Sequence, residues 1–302
     1  MYKSLPVRQI TAKGCTTAYI DTAPDDREKP VVLCLHGVPS SGYMYRNVID
    51  DLGFDARVIA PDIPGFGKSQ KVVPWDLSFI EMENWLGNFI EQVIPDDAKI
   101  NFILHDISGP FGLGWILNHL SRVQSLVLLN TTVFIERFRP PLAAIAGMIP
   151  GVGAKLIDNL MHGYVLREGL KREFHGPVDV DTLEHYCAPY KDHAARSALS
   201  DVFAQYLHST SYLKDVRLGL DRIDFPCTVL FGGKDKYCGP SNAAAFGTHI
   251  FGAYVRYLQE VGHFIAEEAP YVVSNEMRKL IFTSAPLEQM PPEEPALQRL
   301  AS

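Results

Sequence analysis

LHDISGP, residues 104–110, is the stretch on which the fold turns. It ends the apolar run INFIL (Ile100–Leu104) and opens a helix-length segment of small residues, Gly109–Leu120. An apolar run that breaks into such a segment reads as a buried strand, a sharp turn and a helix. A corner of that kind lifts one side chain above the sheet, and small neighbours relieve the crowding around it. Two residues compete for the apex. If it is Asp106, the residue two positions on is the small Ser108. If it is Ser108, that residue is Pro110, which has no N–H and fits a helix interior poorly. Asp106 also follows the strand directly, so it is the preferred apex. Leu104 departs from the pattern, because a small residue is usual there. Taken alone, an Asp after a strand is an ordinary helix N-cap. The order of the other polar groups along the chain raises it above that.

Further apolar runs lie on both sides: VVLCL (Val31–Leu35), RVIA (Arg57–Ala60), LVLL (Leu126–Leu129), CTVLF (Cys227–Phe231) and YVRYL (Tyr254–Leu258). Runs apolar on both faces suit parallel strands buried under helices. Helix-length segments such as Ser78–Val93 lie between them. Residues 132–222 hold no strand-like run. They read as helices broken by Pro and Gly, in FRPPLAAIAGMIPGVGAKLIDNL and DTLEHYCAPYKDHAARSALSDVFAQYL. The expectation is an α/β core domain from residues 1–131 and 223–285, with a helical lid at 132–222. The Pro- and Glu-rich tail, 286–302, reads as disordered.

Three motifs supply the remaining chemistry. In HGVPSSGYMYR the turn after His36 exposes the Val38 N–H, which together with the Ile107 N–H would form an oxyanion hole. In FGGKDKYCGP, Asp235 follows the strand CTVLF. In EVGHFIAEEAP, His263 follows the strand YVRYL. Nucleophile, acid and histidine thus appear in chain order, each past the C-terminal end of a strand, where open parallel sheets carry their sites.

Composition narrows the function. A formal charge of −7 without a basic run argues against a nucleic-acid partner. No apolar stretch reaches membrane-helix length and the N-terminus lacks a signal-peptide core, so a cytoplasmic protein without a membrane partner is expected. Five scattered cysteines match neither a metal motif nor a disulfide framework. Gly65-x-Gly67 lacks the spacing of a phosphate loop. No cofactor and no metal are expected.

Together, HGVPSSGYMYR, PDIPGFGKS, LHDISGP, GGKD and GHFIAEEAP resemble the haloalkane dehalogenase and epoxide hydrolase branch of the α/β-hydrolase superfamily. The resemblance spans about residues 20–285 and is looser in the lid. It implies an α/β-hydrolase fold: a mostly parallel central sheet flanked by helices, with an inserted helical lid. It implies Asp106 as nucleophile, His263 as water-activating base, Asp235 as its orienting acid, and a small hydrophobic electrophile and water as reactants. Dehalogenases of this branch hold the leaving halide with a Trp after the nucleophile and an Asn after the HG, or a lid Trp. Ile107 and Val38 fill the first two positions, and none of the three tryptophans (Trp75, Trp85, Trp115) is in the lid. Epoxide hydrolases protonate the opening ring from lid tyrosines, and sometimes a histidine. Tyr206 or Tyr212 best fits the second such position, and Tyr164 is a weaker match to the first. Tyr186 and Tyr190, with His162, His175 and His208, are also in the lid. Epoxide hydrolysis is therefore the leading expectation and dehalogenation the alternative. A Ser108 esterase and a non-catalytic small-molecule-binding protein are further alternatives.

One pair of variants separates the two possible nucleophiles. Asp106→Asn is expected to abolish turnover and Ser108→Ala to spare it, as read by initial rates. The reverse pattern would identify a serine esterase.

Overall fold

The computed structural model describes residues 3, 5–140, 145, 149, 153–161 and 163–282. The tail 286–302 and His162 lie outside the described residues. Eight strands form one sheet in the order β1-β2-β4-β3-β5-β6-β7-β8. They are β1 (Arg8–Ala12), β2 (Cys15–Asp21), β3 (Val31–Leu35), β4 (Arg57–Pro61), β5 (Ile100–His105), β6 (Val123–Leu129), β7 (Cys227–Gly232) and β8 (Tyr254–Leu258). From β4 to β8 every neighbouring pair is parallel. The strands β3, β4, β5 and β7 are buried along their whole length, which is why they read as continuous apolar runs.

The sequence reading missed the antiparallel hairpin β1–β2, which extends the sheet at one edge. Its two-residue turn, Lys13-Gly14, has positive φ at both positions (50° and 72°). That is the geometry that matches the twist of the flanking strands.

Helices cover both faces. α1 (Arg46–Leu52) packs against α11 (Pro270–Phe282), and α2 (Phe79–Val93) packs against α3 (Ser108–Asn118). Ser78 caps α2 by accepting from the Glu81 N–H, a serine and glutamate spaced as in a capping box. The helix α9 (Pro240–His249) packs on β7 and β8, and a short α10 (Ile265–Glu268) follows β8. Between β6 and β7, five α-helices and no strand occur among the described residues. They are α4 (Gly153–Leu160), α5 (Gly163–Glu173), α6 (Val180–Cys187), α7 (His193–His208) and α8 (Thr210–Gly219). No helix of the described residues is long and apolar enough to cross a membrane.

The unusual Leu104 is accommodated from the helix side. A Cβ added at Gly112 of α3 would lie 2.7 Å from Leu104 Cδ2, so the glycine supplies the room that a small strand residue would otherwise leave. Gly112→Ala is expected to lower stability by about 1 kcal/mol net, overpacking outweighing Ala's helix preference. Combined with Leu104→Ala it should lose less than the sum of the single changes in chemical denaturation. Simple additivity would contradict this packing.

Candidate active site

Asp106 sits at the corner between β5 and α3 with φ of 51°, a left-handed backbone that side chains rarely adopt. Several bonds hold the corner. The Thr131 hydroxyl donates to the Asp106 carbonyl at 2.6 Å, and the Gly109 N–H donates to the same oxygen at 3.0 Å. β3 lies beside β5, pairing Leu35 with Leu104, so the loop after β3 runs past the corner. A Cβ on Gly37 would lie 2.5 Å from Asp106 Cβ, so only glycine lets the loop approach this closely. There the Val38 N–H donates to Asp106 Oδ2 at 2.9 Å, and the Ile107 N–H also bonds the carboxylate.

The same loop is tied to the PDIPGFGKS loop. His36 donates from Nδ1 to the Gly37 carbonyl (2.8 Å) and accepts at Nε2 from the Ile63 N–H (2.9 Å). Burial lowers its pKa, which keeps the ring neutral and in that tautomer. Asp62 braces both loops by accepting from the N–H groups of Gly42 (2.7 Å) and Lys68 (2.6 Å).

Asp235, after β7, is 3.0 Å through Oδ2 from His263 Nδ1. His263 Nε2 faces Asp106 Oδ1 across 4.0 Å, too far for a hydrogen bond and wide enough for a water-mediated proton transfer. Burial alone would lower the His263 pKa. The Asp235 charge and hydrogen bond, with Asp106 and Glu173 beyond, instead push it up to about 9. Burial would raise the Asp235 carboxyl. The imidazole, Asn130 and the Tyr237 N–H hold it below its ordinary value. Burial pushes the Asp106 carboxyl up, against the pull of His263 and the two N–H groups.

Above these groups is an apolar cavity of about 600 Å³. It is lined by Val38, Asp106 and His263, with Leu166, Leu170 and Phe203 from the helices between β6 and β7. Of the proposed lid donors, the structure brings only Tyr206 toward Asp106. It is 2% exposed, and its hydroxyl has no hydrogen-bond partner among the described residues. Its ring stacks at 4.3 Å on Phe138, which lines the cavity. Burial and then the nearby Asp106 charge raise its pKa. Tyr212 is a correction to the sequence reading. Its hydroxyl donates at 2.6 Å to Glu83 of α2, on the far side of α3. Tyr164 is a second correction, being 76% exposed and absent from the cavity wall. Tyr186 donates to Glu267 at 2.9 Å.

The Ser108 alternative is corrected too. Its side chain is fully buried, 2.8 Å from both the Leu35 and His105 carbonyls, and it accepts from the His105 N–H. The tryptophans stay off the cavity. Trp75 donates to the Lys13 carbonyl, Trp85 to Thr17, and Trp115 stacks on His119.

Several site residues escaped the sequence reading. Asn130 donates to Asp235 Oδ2 at 2.7 Å and accepts from the Gly232 N–H, with its own φ at 32°. The signal was a polar residue at the end of a parallel strand. Tyr237 meets His263 edge-on at 5.5 Å and donates its hydroxyl to Glu173 of α5. His105 is fully buried, its pKa lowered by burial to about 3. Its Nε2–H donates to the His263 carbonyl at 2.9 Å. Nothing in the local sequence marked these two pairs, because each joins segments far apart in the chain.

A family model described as alpha/beta hydrolase fold matches residues 30–152. A cis-3-alkyl-4-alkyloxetan-2-one decarboxylase of Xanthomonas campestris is 33% identical over 140 residues, 44% of this chain. That match spans less than half of the relative, 46% of its length. Among solved structures, a haloalkane dehalogenase of Bradyrhizobium elkani superposes with a TM-score of 0.79 at 20% identity, covering 92% of this chain and 99% of that one. The epoxide hydrolase CorEH superposes with a TM-score of 0.77 at 20% identity and the same coverage. The chain therefore has the α/β-hydrolase fold, shared with the haloalkane dehalogenase and the epoxide hydrolase on which it superposes.

Proposed function

We propose that the protein is a hydrolase that opens an epoxide to a diol through a covalent ester on Asp106. The observation that carries this reading is the division of labour within one carboxylate. Oδ2 is held by the Val38 N–H and the carboxylate also by the Ile107 N–H, while Oδ1 faces His263. Oδ1 attacks a ring carbon, the C–O bond of the ring breaks, and the alkoxide takes the Tyr206 hydroxyl proton. Burial keeps Tyr206 protonated at rest. Its hydroxyl has no partner among the described residues and its ring stacks on Phe138 of the cavity wall, so donation to the ring oxygen requires Phe138 to give way. Forming the ester removes the Asp106 charge, so His263 gives up its proton to solvent and Tyr206 regains one. The neutral His263 takes a proton from water, and hydroxide adds to Asp106 Cγ. The oxyanion forms on Oδ2, already bonded to the Val38 N–H, with the Ile107 N–H on the same carboxyl group. The bond from Cγ to Oδ1 then breaks, the diol oxygen takes the proton from His263, and the proton left on the Asp106 carboxyl passes to His263, restoring carboxylate and imidazolium.

A second reading is favoured by the oxetan-2-one relative, since that ring is also a strained oxygen heterocycle. Attack at its sp³ ring carbon releases a carboxylate, which needs no proton from Tyr206. Dehalogenation is supported by the structural likeness but lacks side-chain donors for a halide at Val38 and Ile107.

His263→Gln is expected to stall at the ester, because attack does not need the base. After incubation with an aryl or aliphatic epoxide, intact-mass analysis should show the whole epoxide added, mapped to Asp106. An alkyl group gained from a bromoalkane without the bromine would restore the dehalogenase reading. No adduct from any of them would move the assignment to another electrophile or to a binding role. Tyr206→Phe should slow epoxide opening by roughly 10²-fold while sparing an oxetan-2-one. Equal rates on the epoxide in both proteins would remove Tyr206 as the donor.

The His263 ring is expected to titrate at about 9 in the free enzyme. Asp106→Asn deletes a negative charge that favours the imidazolium, so the value must fall. An NMR titration of ring-labelled histidine checks this, and an unchanged or higher value would contradict the coupling.

A further inference from the structure

We infer that the substrate carries an anionic end, of the carboxylate type, which sits at the cavity mouth between Arg139 and Lys236. Both side chains line the same apolar cavity as Asp106 and His263, and both are exposed, which places them at its opening. The two loops that carry them are stitched together, the Arg139 N–H donating to the Tyr237 carbonyl at 3.1 Å. Neither cation has an acidic partner among the described residues, although the chain as a whole carries a formal charge of −7. Glu173, a carboxylate on the same wall, accepts the Tyr237 hydroxyl, acts by its charge on His263 and forms an ion pair with neither cation among the described residues.

The cavity is therefore polarised along its length. Its outer end has two cations without an ion-pair partner among the described residues, its middle is apolar, and its inner end holds the Asp106 and Asp235 carboxylates around the His263 imidazolium. A molecule with an apolar chain and a terminal anion is repelled from the inner end, where two carboxylates outnumber one imidazolium, and attracted to the rim. It enters tail first and brings the uncharged, electrophilic end to Asp106. An epoxide at the far end of a medium-chain carboxylic acid has this arrangement. The substrate class rests on the epoxide reading, whereas the anion site can be tested without any chemistry.

Non-electrophilic probes make that test. Dodecanoate and dodecan-1-ol would each displace a fluorescent apolar dye from the full-length protein. Replacing both cations (Arg139→Gln with Lys236→Gln) is expected to weaken dodecanoate by about five-fold, the worth of two exposed ion pairs. Dodecan-1-ol binding should be unchanged, which also shows that the variant is folded and its cavity intact. Added salt should erode the dodecanoate advantage in the unaltered protein alone. An equal effect on both ligands, or none on dodecanoate, overturns the inference. The mass measurement on His263→Gln reads the other question. Carboxylate preference without an Asp106 adduct would leave the anion site standing and remove the epoxide reading. An adduct without preference would do the opposite.

Discussion

The left-handed turn at Asp106 is the constraint on which the rest of the site depends. A non-glycine residue there costs on the order of 1–3 kcal/mol, so the surroundings must over-determine it. They do so from three directions. Thr131 holds the carbonyl from the turn after β6, the start of α3 bonds the same oxygen, and the Val38 N–H grips the carboxylate from the β3 loop. The last contact exists because Gly37 lets that loop come close and because His36 and Asp62 fix the loop behind it. The corner, the loop and the brace form one unit, and each part accounts for a motif that looked separate in the sequence.

Around this unit, burial assigns different jobs to chemically similar groups. Asp235 is surrounded by donors and stays charged, which holds His263 in the tautomer that exposes Nε2 to Asp106. Two other buried imidazoles, His36 and His105, are driven toward neutrality and serve as fixed hydrogen-bonding struts. Positive charge in the inner site is thereby confined to His263, the one imidazole placed to exchange a proton with water near Asp106. In the proposed reaction, forming the ester removes the Asp106 charge that favours the His263 imidazolium. The base is released by the step that precedes its use.

The parallel strands were legible because they are buried on both faces, so VVLCL or INFIL leaves little room for another reading. The hairpin was not, since β1 is half exposed and Arg8-Gln9-Ile10 mixes polar with apolar side chains. Its signal was the turn, where Lys13-Gly14 demands positive φ twice. Asp106, Asp235 and His263 stood out in the sequence because each lies within a short turn past the end of a strand. The lid tyrosines could not be sorted the same way. Tyr206 and Tyr212 fall on consecutive helices, α7 and α8, whose break at Ser209 turns one ring toward Phe138 and the other toward Glu83. That difference is one of tertiary direction, which spacing does not encode. Glu173 and Tyr237 likewise meet only because α5 folds over the loop after β7.

The grip on Asp106 Oδ2 has a stereochemical consequence. A carboxylate pinned at one oxygen cannot swing, so Oδ1 reaches a ring carbon from a single side, opposite the departing oxygen. The attacked centre inverts in the proposed reaction. Water later cuts at Cγ and not at that carbon, so the inversion survives into the product. The new hydroxyl oxygen comes from the protein, and the water oxygen stays behind in Asp106. Handedness would then follow from which of the two ring carbons the cavity wall presents to Oδ1.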